Sequence, residues 1–208
     1  MESAEVVVAV KDEALRRGLA GFGAASLAVL AGALGRLQAD GTGSLFKHVG
    51  RVVFAVGLPA FSPRHLLALA FAFSRVDDQT FHGYMDAIAA EISKRSLEEL
   101  EASEITVLAW ATCFAPCGQP QEELLAQIAH EVARRGASGL RAHDLACLSW
   151  SFAQRGLAET SSAVRHIASD AGRRGPAEFS PRCLAVLAWS LAKLQSLDEA
   201  LHQALFRA

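Results

Sequence analysis

The stretch Phe179-Ser-Pro-Arg-Cys-Leu-Ala-Val-Leu-Ala-Trp189-Ser-Leu-Ala-Lys-Leu-Gln195 occurs, in altered copies, five times along a chain of 208 residues. Superimposing the copies puts anchors at Phe22, Phe61, Leu100, Leu140 and Phe179, with steps of 39, 39, 40 and 39 residues. A constant period in this range marks stacked supersecondary units, each of which buries its apolar face on its neighbours. Within a copy, apolar residues stand five, eight and twelve positions after the anchor, as in Leu66, Leu69 and Phe73, Leu145, Leu148 and Phe152, or Leu184, Leu187 and Leu191. That is helical spacing. The ninth position is always small (Ala31, Ala70, Ala109, Ser149, Ala188), which admits a neighbouring helix at close range. All three tryptophans, Trp110, Trp150 and Trp189, follow at the tenth position, where the first two copies carry Gly32 and Phe71. Lying among apolar positions, these tryptophans and Phe71 are expected to form the repeat core between layers.

In the second and fifth copies Phe-Ser-Pro-Arg opens the helix, with Ser62 or Ser180 as N-cap and Pro at the first helical position. A further helix precedes each anchor and closes four residues before it, at Gly18, Gly57, Ser96, Gly136 and Gly175. Glycine there provides the left-handed residue that ends a helix. The body of this first helix is amphipathic, as in Glu123 to Gly136, where Leu124, Ile128 and Val132 lie one turn apart. Short polar links such as Asp77-Asp78-Gln79 and Ala115 to Pro120 join the units. The expected fold is therefore all-α: an α-solenoid of five helix-pair repeats over about 5–40, 41–78, 79–118, 119–157 and 158–196, with a partial sixth over 197–208, forming one helical-repeat domain across residues 1–208. The sixth copy, Leu197 to Phe206, stops before its closing glycine, which suggests a longer array or an abutting partner.

With 51% hydrophobic residues, three Trp and eleven Phe, the chain has ample material for a core. Twenty basic and 22 acidic residues give a net charge of −2, so any nucleic-acid binding must use a local patch. The four cysteines, Cys113, Cys117, Cys147 and Cys183, sit in or beside apolar helical stretches and suggest no disulfide framework. The acidic start, Met1 to Glu5, makes no targeting peptide readable. The uncharged run from Leu19 to Gly35 is 17 residues long with four Gly, short for a membrane span.

The anchor followed by Leu at five and eight and by Ala-Trp-Ser-Leu-Ala-Lys, as in Leu187 to Leu194, resembles the octotricopeptide repeat and the related helical repeats of FAST-kinase-like proteins. The resemblance covers Glu5 to Gln195 and is best in copies three to five, the first two lacking Trp. It implies an α-solenoid of mitochondria, or alternatively plastids, that binds single-stranded RNA (mRNA or rRNA). Such a protein acts in transcript processing, stability, translation or ribosome assembly. The alternative is a protein–protein scaffold inside an organellar ribosome or RNA-processing complex.

Basic pairs recur just before the closing residue: Arg16-Arg17, Lys94-Arg95, Arg134-Arg135 and Arg173-Arg174. Cations there offset the negative end of the helix dipole, but Arg64, Arg141 and Arg182 stand at the starts of the following helices, where a cation is disfavoured. In stacked units these eleven would align as a basic edge suited to a phosphate backbone. The second repeat has Ala55-Val56 instead of a pair, and Glu98, Glu99, Glu101 and Glu104 interrupt the edge in the third. Arg36, Arg75 and Lys193 share an offset near the end of the second helix and read as helix-end charges. The opposite edge gathers Asp40, Asp77, Asp78, Glu122, Glu123, Glu159, Asp198 and Glu199. Cys113-x-x-x-Cys117 has no second pair to complete a zinc site, and His143-Asp144 reads as capping rather than as a dyad. No Walker loop, nucleophile elbow or His-Glu-x-x-His occurs, so no catalytic residue, metal or cofactor is expected, and the chain is not read as an enzyme.

Overall fold

A computed structural model describes residues 9, 12–14, 16–19, 21–37, 43–76, 79–114 and 118–195. Cys117, Asp40, Asp77, Asp78, Asp198, Glu199 and the partial sixth repeat lie outside the described residues. Among those described, every regular element is a helix and there is no strand, so the all-α expectation holds. None of the described helices is long and apolar enough to cross a membrane. The chain divides into two compact units, Met1–Arg95 and Ser96–Ala208.

The first unit contains α1 (Ala24–Leu37), α2 (Gly43–Val56), α3 (Pro63–Ser74) and α4 (Thr80–Ile92). Helix α1 packs on α3, and α3 on α4. Phe46, Phe73 and Phe81 are buried and meet ring to ring, with centroids 5.1 Å apart for Phe73–Phe81 and 6.3 Å for Phe46–Phe81. The α1–α3 crossing is tight because Gly35 has no side chain. A Cβ there would lie 2.8 Å from the Ala72 Cα, a backbone atom that cannot rotate away. Gly35→Ala gains helix propensity of up to about 1 kcal/mol. The clash outweighs it, and the variant is expected to lose about 1–3 kcal/mol in urea denaturation.

The second unit contains α5 (Ala102–Ala111), α6 (Gln119–Arg135), α7 (Ala142–Arg155), α8 (Ser161–Arg174) and α9 (Pro181–Lys193). Helix α7 packs on both α5 and α9, while α8 packs on α6 and α7. Most periodic positions behave as their spacing requires: Leu124, Ile128 and Val132 of α6, Leu145, Leu148 and Phe152 of α7, and Leu187 and Leu191 of α9 are buried, while Leu184 at the start of α9 is half-buried. The small ninth positions Ala109 and Ser149 are fully buried. Ser149 keeps its hydroxyl satisfied by donating to the Leu145 carbonyl at 2.7 Å.

Helix ends follow the local chemistry. Ser62 and Ser180 accept the backbone N–H of His65 and Cys183 at 3.3 and 3.2 Å, with Pro at the first helical position in both. Gly18, Gly57, Gly136 and Gly175 have positive φ. At Gly57, Gly136 and Gly175, however, ψ is 129°, 173° and 170°, an extended glycine conformation rather than the left-handed helical one expected. This turns the chain sharply into the next helix. The true left-handed cap is Gly156, at the end of α7.

Candidate nucleic-acid interface: a basic edge and an aromatic groove

The basic pairs are built into the structure by an acidic residue three and four positions earlier. Glu13 pairs with Arg16 and Arg17, Glu91 with Lys94 and Arg95, Glu131 with Arg134 and Arg135, and Asp170 with Arg173 and Arg174. Three of these acids are nearly enclosed, Glu91, Glu131 and Asp170 being 9%, 7% and 4% exposed. Hydrogen bonds from Arg134, then Arg135, hold the Glu131 carboxyl down to about 2 from its ordinary 4.5. Arg95, ahead of Lys94, lowers Glu91 in the same way.

The two members of a pair have different tasks. Lys94, Arg134 and Arg173 extend outward, with side chains 71%, 50% and 69% exposed, whereas Arg95, Arg135 and Arg174 turn back, at 22%, 27% and 16%. Arg135 donates to the carbonyls of Leu100 and Leu97 at 2.7 and 2.8 Å. Arg95 donates to the Phe61 carbonyl and, at 3.4 Å, to Leu58 and Pro59. Arg174 donates to Ser138 at 3.1 Å and Ala137 at 3.4 Å. Each thus ties its helix to the turn one repeat earlier, and the pair is more than a dipole match. The second repeat has Val52, Ala55 and Val56 where the acid and pair would stand. Introducing Val52→Glu, Ala55→Arg and Val56→Arg together, with the Leu19 and Phe22 carbonyls as the equivalent acceptors, is expected to raise stability by about 1 kcal/mol in urea denaturation.

At the starts of the following helices, Arg141 forms an ion pair with buried Asp144 at 2.8 Å, and Asp144 also accepts the Arg141 backbone N–H at 3.2 Å. His143-Asp144 is therefore a capping element, as expected, but its carboxylate lies inside the protein. Arg64 is engaged as well. Of the eleven basic-edge residues, Arg182 alone makes no hydrogen bond or ion pair among the described residues, and it is exposed.

Arg182 borders an open groove of about 540 Å³ in the second unit, between α7 and α9 with α5 alongside. Trp110, Phe114, Trp150, His143 and Cys147 also line it. The expectation that the tryptophans are core is corrected here: Trp110 and Trp150 are half-buried and Trp189 is 47% exposed. Phe71, their counterpart in the first unit, is half-buried too. The reason is angular. At about 100° per residue, the tenth position stands about 200° from the eighth and so faces away from the buried stripe. Positions three, seven and fourteen share its face, which explains why His143, Cys147 and Arg182 reach the groove.

The aromatic groups touch one another. Phe114, itself 47% exposed, has its centroid 4.1 Å from Trp110 and 6.0 Å from Trp150. On α9, the Lys193 ammonium lies 5.0 Å from the Trp189 ring, so this helix-end cation also covers an aromatic face. Burial, ahead of the nearby Asp144 charge, pushes the Cys147 thiol up, and burial does the same for Cys113. Both stay protonated at neutral pH and are poor nucleophiles. Among the described residues no three His, Cys, Asp or Glu side chains are grouped to hold a metal ion.

The chain matches no protein-family model, no curated protein and no solved structure.

Proposed function

We propose that the chain forms an α-solenoid that binds single-stranded RNA, in keeping with the octotricopeptide and FAST-kinase-like repeats that it resembles. Its place would be organellar, in mitochondria or alternatively plastids, and its role post-transcriptional: processing, stability, translation or ribosome assembly. It needs no cofactor and carries out no reaction of its own. The observation that carries this reading is the groove, where exposed Phe114 and half-buried Trp110 and Trp150 lie beside Arg182, which has no hydrogen bond or ion pair among the described residues, and no carboxylate is among the lining residues. Stacking of bases on aromatic rings next to a cation is the sequence-tolerant way of holding single strands. The basic edge has a lesser part, because each pair is offset by its own carboxylate and in three of the four one member turns inward.

The neutralised edge and the exposed Phe114 and Trp189 favour a second reading, a scaffold that holds another protein. Titrating the chain with short oligouridines while following tryptophan fluorescence separates the two. RNA binding predicts quenching, with a log–log salt slope of about −0.7 per phosphate contacted. Absence of binding at low salt, with helical circular dichroism intact, would leave the scaffold.

A further inference from the structure

We infer that the groove between α7 and α9 receives one unstacked guanine, read on its O6/N7 edge by Arg182 while its face lies on Trp150. This rests on the RNA-binding reading and adds a base preference to it. The groove offers one strong, uncommitted donor array, the Arg182 guanidinium, and no carboxylate or carboxamide. Among the polar side chains beside it, the Ser180 hydroxyl already accepts the Cys183 N–H at 3.2 Å, and the His143 ring lies 3.4 Å from the Cys147 sulfur. A site rich in donors and poor in acceptors selects the base edge that presents two adjacent acceptors. Guanine does so with O6 and N7, and a guanidinium fits both at once. Adenine places an amino donor next to N7, and uracil flanks its carbonyls with the N3–H donor, so each leaves one Arg182 N–H facing a donor or nothing. Unpaired cytosine does offer two adjacent acceptors, N3 and O2, but its single ring covers less of the Trp150 indole than a purine does. The indole of Trp150, half-buried and bordering the groove, provides the apolar face that an unstacked purine needs. A volume of about 540 Å³ is of the size that holds a small-molecule ligand.

The test is a fluorescence titration of the full chain with short oligouridines carrying one central guanine, adenine, cytosine, hypoxanthine or 7-deazaguanine. Guanine and hypoxanthine, which share O6 and N7, are expected to bind about tenfold tighter than adenine, with cytosine, which offers N3 and O2 on a smaller ring, in between. 7-Deazaguanine, lacking N7, is expected to fall to the level of plain oligouridine. Arg182→Lys keeps the charge but loses the fork, so it is expected to erase the guanine preference while retaining salt-dependent binding of oligouridine. Equal affinity for all oligonucleotides, or a preference untouched by 7-deazaguanine, overturns the guanine site and reassigns Arg182 to phosphate, with the RNA reading standing. Failure of every oligonucleotide to bind removes the RNA reading and the guanine site together. Arg182 is exposed and makes no hydrogen bond or ion pair among the described residues, so the variant reports on binding rather than on stability.

Discussion

Glu131→Gln is expected to destabilise the chain by about 2 kcal/mol, seen as a lower urea midpoint. The side chain is 7% exposed and its carboxylate takes hydrogen bonds from Arg134 at 2.7 and 2.8 Å and from Arg135. Arg135 in turn holds the Leu97 and Leu100 carbonyls, so the substitution leaves an inward-turned guanidinium without its counter-charge. Breaking one side of such a pair costs more than the pair contributes, because the remaining charge stays desolvated. Acid should reveal the same interaction. Its two arginines hold the Glu131 carboxyl at about 2 in the folded chain, down from its ordinary 4.5, so its contribution is complete above about pH 5. That contribution is lost as pH falls toward 2, and the gap between wild type and Glu131→Gln is expected to close over that interval. Glu13→Gln is the contrasting control. Its side chain is 42% exposed and its two arginines 70% and 64%, so solvent already screens the cluster and little change in midpoint is expected. A Glu13 variant as damaging as the Glu131 variant would show that local helix pairing, not the tie to the previous turn, carries the effect.

The parts of the structure that were legible are those set by short-range rules. Leu145, Leu148 and Phe152 reveal a helix and its buried face through spacing alone, and Ser62-Pro63 and Ser180-Pro181 fix two helix starts through one hydroxyl and one ring. The tryptophans are not legible from apolar character alone: Leu148, Ser149 and Phe152 beside Trp150 in sequence are buried, yet Trp150 itself points the other way round the helix. The basic pairs were half legible. Glu13, Glu91, Glu131 and Asp170 stand at the repeat spacing and could have been joined to the cations that follow, since residues three and four apart share a helix face. What no local rule provides is the reach of Arg135 to Leu97 and Leu100, because it depends on how closely one repeat lies on the last. The same holds for Arg182, which has no ion pair among the described residues, as only the placement of its neighbours reveals.

Arg182→Glu combined with Trp150→Ala is expected to weaken single-stranded RNA binding about 100-fold, if the groove is the interface. Removing an aromatic platform costs about 1–3 kcal/mol per stacked base. Reversing the charge replaces an attraction to the strand with a repulsion and makes the salt slope shallower by about 0.7 for the lost phosphate or base-edge contact. Trp150 is half-buried, so truncation also removes packing against Phe114, whose centroid is 6.0 Å away; Trp150→Phe together with Arg182→Gln is the gentler pair, keeping a ring while shrinking it. For comparison, Arg134→Ala is expected to change affinity by no more than about threefold, because that guanidinium is engaged by Glu131 at 2.7 Å and lies 3.6 Å from Glu98. The two variants weigh the groove against the edge on one assay. A larger loss from Arg134→Ala than from the groove variants would place the strand along the basic edge, with the ion pairs opening to admit phosphate. The electrostatics argue for the opposite order, since a phosphate at Arg134 must displace a carboxylate that is already desolvated and doubly held, whereas at Arg182 no carboxylate among the described residues has to give way.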